Sequence, residues 1–116
     1  MPDGKHHYFQ TAGGPKYRVE TRYLDDPNLK SADLVKKVTY SFNLPTCGGT
    51  TIDAAGNLYV ADANGKGILK ALPAGQSSVL VQGPCLILVD ATRIDHASMW
   101  IPMPQMNRAA GFQKGA

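Results

Sequence analysis

Residues 50–60 read Thr50-Thr51-Ile52-Asp53-Ala54-Ala55-Gly56-Asn57-Leu58-Tyr59-Val60, which spells a strand, a tight turn and a second strand. Asp53 can hydrogen-bond nearby backbone and Gly56 can take a positive φ, so the two bracket the turn. Leu58-Tyr59-Val60 then supplies the β-favouring residues of the returning strand. The same order recurs in Thr92-Arg93-Ile94-Asp95-His96-Ala97-Ser98-Met99-Trp100-Ile101. Ile52-Asp53 maps onto Ile94-Asp95 at an offset of 42, and Tyr59-Val60 onto Trp100-Ile101 at 41, so the second turn is one residue shorter. A period of roughly 40–45 residues is that of a four-stranded propeller blade.

Working outward, Ala61-Asp62-Ala63-Asn64-Gly65-Lys66-Gly67 is a turn-rich connection and Ile68–Leu72 a third strand. Pro73-Ala74-Gly75-Gln76 is a turn, and Ser78–Val81 a fourth strand. Towards the N-terminus, His7–Gln10 follows an Asp3-Gly4 turn as a strand, Ala12–Pro15 turns, and Lys16–Val19 is a further strand. Thr21 to Lys37 is too poor in apolar residues for a buried strand. It reads as an excursion with a helical turn near Ser31–Val35, capped by Ser31. Val38–Phe42 returns to strand alternation.

The expected fold is therefore all-β, a partial β-propeller of about two to two and a half blades of antiparallel four-stranded sheets. Residues 1–42 form the end of one blade plus the excursion, 43–84 a full blade, and 85–116 the start of the next. The alternative is a small β-sandwich with two similar hairpins. Blades bury their faces only against one another in a ring. A chain of this length then leaves apolar faces open, which predicts self-association.

Composition narrows the function. The 116 residues carry a formal charge of +3, with 12 Lys and Arg scattered and Lys36-Lys37 their one adjacent pair, which gives no basic stripe for nucleic acid. No run of 18 apolar residues spans a membrane. No apolar signal core follows Met1–His7, so the chain as written shows no route to secretion. Cys47 and Cys85 match no zinc signature, and His6-His7 stands alone near the terminus.

The run from Leu44-Pro45-Thr46-Cys47-Gly48-Gly49 through Asp53, Gly56-Asn57-Leu58-Tyr59-Val60 and Ala61-Asp62 is similar to the blade signature of six-bladed propellers. Those include the Yellow/major royal jelly proteins and the senescence-marker/gluconolactonase proteins. Val89-Asp90-Ala91 leading into Met99-Trp100-Ile101-Pro102-Met103-Pro104-Gln105-Met106-Asn107-Arg108 resembles the Yellow/major royal jelly family. So does Tyr8-Phe9-Gln10 followed by Gly14-Pro15-Lys16-Tyr17-Arg18-Val19. The resemblance covers nearly the whole chain and implies about a third of a ring. It also implies an extracellular parent that binds a small ligand, the class bound by related proteins being aromatic amines, in the central channel. The chain departs from the family in being far too short and in starting inside the fold.

In such a ring the innermost strand of each blade begins at the channel. Asp90, just before the Ala91–Ile94 strand, is the first candidate contact for a ligand. It is also the candidate carboxylate for a divalent cation of the gluconolactonase type, although calcium wants six to eight oxygens; no cofactor is expected otherwise. Gln105, Asn107 and Arg108 form a polar cluster that lines the channel mouth or braces a long loop. Thr46 and Thr50 approach the channel in the preceding blade and read as backbone partners. Asp53 and Asp95 repeat at turns and read as structural. Tyr59 and Trp100 share one blade position and read as inter-blade packing. Cys47 and Cys85 read as separate thiols, and a Cys–His96 nucleophile finds no third group. The expected function is small-ligand binding by the assembled parent, with no catalysis by this chain alone. The rivals are a metal-dependent lactone hydrolase and a self-assembling propeller module.

Overall fold

The computed structural model describes residues 4–11 and 13–113. The Asp3 part of the Asp3-Gly4 turn, the Ala12 part of the Ala12–Pro15 turn and residues 114–116 lie outside them. The chain is all-β in character and forms three antiparallel sheets. The first contains β1 (His6–Gln10), β2 (Lys16–Glu20) and β3 (Thr39–Phe42), in that order. The second runs β4 (Cys47–Ile52), β5 (Leu58–Asp62), β6 (Gly67–Ala71) and β7 (Ser77–Gln82), and the third pairs β8 (Arg93–Asp95) with β9 (Ser98–Trp100). Each sheet is a meander in sequence order. Of the three, only the middle one reaches four strands.

The repeated hairpin appears in both later sheets. Ile52 pairs with Leu58 across a five-residue turn, and Ile94 with Met99 across four, which is the one-residue shortening visible in the sequence. The excursion between β2 and β3 holds two short helices, α1 (Thr21–Leu24) and α2 (Ser31–Val35). Ser31 is the first helical residue of α2 rather than its cap. Lys30 takes the cap position with extended dihedrals, and its carbonyl accepts the N–H groups of Asp33 and Leu34.

Period-two alternation sends β5 side chains to both faces of the middle sheet. Leu58 and Val60, with Ala71, pack under Phe42, Leu44 and Ile52 towards the first sheet. Ala61 and Ile68 pack on the other face with Val89, under Tyr59, Leu86, Met99 and Ile101. The middle sheet is thus enclosed between the first sheet and the hairpin β8–β9. Burying Leu58, Val60 and Ile68 stabilises the fold by roughly 1.5–3 kcal/mol each. Exposure grows outward, and every residue of β7 is exposed.

Candidate functional site

The end of the middle sheet that holds Asp90 is shaped by two glycines. β4 carries an extra residue between Cys47 and Thr50, so Gly48-Gly49 forms a bulge opposite β5. The bulge brings β4 against the 89–91 backbone. A Cβ on Gly48 would collide with the Val89 carbonyl, and one on Gly49 would sit 2.7 Å from Ala91 Cα. β4 thus meets, backbone to backbone, the irregular segment that leads into β8, whose strand spans Arg93–Asp95 rather than the expected Ala91–Ile94.

Asp90 follows from that contact. Buried Val89 points into the core, so Asp90, the next residue, faces outward and is exposed. Its Oδ1 accepts the Ala91 N–H at 2.7 Å, and its own N–H donates to the Pro102 carbonyl at 3.1 Å. The second bond folds 102–108 back over the site. Asp90 then borders an open hollow of about 170 Å³ with Gly48, Ala63, Leu88, Pro104 and Met106, in which it is the charged member.

Gln105, Asn107 and Arg108 belong to the segment whose Pro104 and Met106 border this hollow, but their side chains are exposed and do not line it. Gln105 holds φ at +52°, which reverses the chain, and its carbonyl accepts the Arg108 N–H at 2.8 Å. The Asn107 carbonyl accepts Gln113 Nε2 at 3.3 Å. No ion pair joins Arg108 to Asp90 among the described residues. Thr46 offers its carbonyl to the Ala63 N–H at 3.2 Å. Thr50 lies on the other side of β4, in a cavity facing the first sheet.

The repeated turn aspartates differ. Asp53 accepts the Asn57 N–H and side-chain amide at 2.9 and 2.8 Å and the Tyr59 hydroxyl at 3.1 Å. Desolvation pushes its carboxyl up, but these bonds together outweigh it and hold the pKa below the ordinary carboxylate value. Asp95, among the described residues, meets only the exposed His96 ring at 3.0 Å. Tyr59 packs in the core beside Met99, whereas Trp100, at the equivalent position, is 65 % exposed and covers no further sheet. Both cysteines are free, Cys47 half-buried and Cys85 exposed.

As a metal centre the donors do not fit. One Asp90 oxygen is engaged by backbone, and no group of three or more His, Cys, Asp or Glu converges among the described residues. A hard cation needs six or more oxygens.

Sequence reasoning missed Lys16. Alternation in Lys16-Tyr17-Arg18-Val19 places both basic residues outward, yet Lys16 is only 1 % exposed. The cause is the neighbouring sheet: at the Lys16 end, β2 meets Ile52 and Leu58 of the middle sheet, whereas Arg18, two residues on along the same face, stays exposed. Comparison of the chain with known protein families and with curated proteins gives no match.

Proposed function

We propose that this chain is a segment of a propeller of the Yellow/major royal jelly type, whose assembled ring binds a small ligand at the end where Asp90 stands. The observation that carries the reading is the backbone contact of Gly48-Gly49 with Val89–Ala91. It sets β4 against the segment that leads into β8 and leaves a carboxylate exposed beside the bulge. A carboxylate beside apolar Leu88, Pro104 and Met106 complements a ligand that joins an ammonium to a ring, the chemistry of an aromatic amine. The sequence resemblance, which includes Trp100-Ile101-Pro102 and Gln105, Asn107 and Arg108, supports the same reading and an extracellular parent. For the lactone hydrolase reading, no metal donor set converges among the described residues.

The test is titration of tyramine into the chain, followed by amide chemical shifts. Shifts are expected at Asp90, Ala91 and Met106, with weak affinity on the order of millimolar, and their loss in Asp90→Asn. Equal binding by the variant, or no shift at these residues, would sink the reading. No dopachrome conversion above blank is expected from the chain alone.

A further inference from the structure

A second site lies between the first and middle sheets, away from Asp90. Lys16 opens β2, and its Nζ stands 4.8 Å from the centroid of the Tyr8 ring. The ring face attracts the ammonium but carries no net charge. No carboxylate among the described residues forms an ion pair with Lys16. Buried charges are ordinarily paired, because the desolvation of an ion is otherwise uncompensated. Desolvation lowers the amine to about 8, with Cys47 acting in the opposite sense, so Lys16 remains a cation at neutral pH.

The missing counter-charge has a place to sit. A cavity of about 180 Å³ opens beside Lys16 between the two sheets. Thr50, on the face of β4 that pairs with Val60, brings a hydroxyl; His6, His7 and Thr51 also border the cavity, while Tyr8, Ile52 and Leu58 supply apolar wall. Among the described residues no Asp or Glu lines it. Its size is close to that of a roughly 150 Å³ cavity known to accept one benzene ring. We propose that this cavity binds a small monocarboxylate with an apolar body, the carboxylate sitting against Lys16 and the Thr50 hydroxyl. The site does not depend on the channel reading, since its residues come from β1, β2, β4 and β5 and none of them borders the Asp90 hollow.

Benzoate and its neutral counterpart benzamide are the probes, titrated into the chain and followed by calorimetry and amide chemical shifts. Benzoate is expected to bind at least about tenfold tighter than benzamide, a difference of about 1.4 kcal/mol. Its shifts should fall at Tyr8, Lys16, Thr50 and Thr51. Lys16→Met, which keeps the stem and removes the charge, is expected to erase that preference. Equal binding of the two probes, shifts confined to the Asp90 hollow, or an undiminished preference in Lys16→Met would overturn the proposal. The comparison of the two probes on the unaltered chain decides the matter even where the variant does not fold.

Discussion

Asp53 shows how much one repeated residue can differ from its counterpart. Its two oxygens hold the whole turn from Asp53 to Asn57 and reach Tyr59 on the next strand. Asp53→Ala is therefore expected to lower stability by about 1–3 kcal/mol, read from urea unfolding at pH 7. Asp95→Ala, which loses one exposed contact, should change it by less than about 1 kcal/mol. The sign with pH follows. The Asp53 carboxyl is depressed in the folded chain, so its contribution is complete above the unfolded value near 3.9 and is lost as pH falls through the folded value. The gap between the unaltered chain and Asp53→Ala should close in that acid range. A gap constant from pH 7 to 2 would show that the carboxylate is not the stabilising form. The sequence disclosed the turn and its aspartate but not the Tyr59 hydroxyl bond, which forms only once β5 has returned alongside.

At the scale of elements, bulges decide which residues meet. Gly48-Gly49 stood in the sequence as part of a family-like run, and nothing in its spacing announced an extra residue in β4. In the folded chain the bulge allows β4 and the 89–91 backbone to touch. Gly49→Val forces Ala91 to move and is expected to cost about 1–3 kcal/mol, as overpacking does. Gly83, with no atom within 4 Å of a Cβ, is the control, and Gly83→Ala should stay within about 0.5 kcal/mol. Thermal and urea unfolding measure both, and equal effects would contradict the close approach. A second bulge leaves Ser41 of β3 opposite the step from Lys16 to Tyr17, while the β1–β2 pairing stays regular. A third, at Leu80 opposite Ile68 and Leu69, twists β7. Strand existence was readable from composition and period, whereas bulge position depended on which neighbour the strand finally faced.

The whole molecule is elongated, 53 × 35 × 23 Å with a radius of gyration of 16.3 Å, against roughly 13 Å for a compact domain of this length. Only the middle sheet is covered on both faces. Val79, Leu80 and Val81 on its outer strand are exposed, Val79 by 57 %. Unpaired apolar edges of this kind recruit other chains. Light scattering at about 100 μM is expected to report species larger than one chain. Val79→Lys combined with Val81→Lys should move the apparent mass towards the monomer. A strict monomer before substitution would remove this edge from any account of assembly.

The sequence by itself determined the all-β class, the meander and the hairpin repeated at 42 residues with its shortened turn, because alternation and turn chemistry are local. Tertiary structure alone decided that sheets of three, four and two strands stack, and that Asp90 stands clear while Gln105, Asn107 and Arg108 turn away from its hollow. It also decided that Lys16 is buried against Tyr8. Those outcomes rest on register and on contacts between residues far apart in the chain. A shift of a single residue in pairing reverses which face a side chain takes.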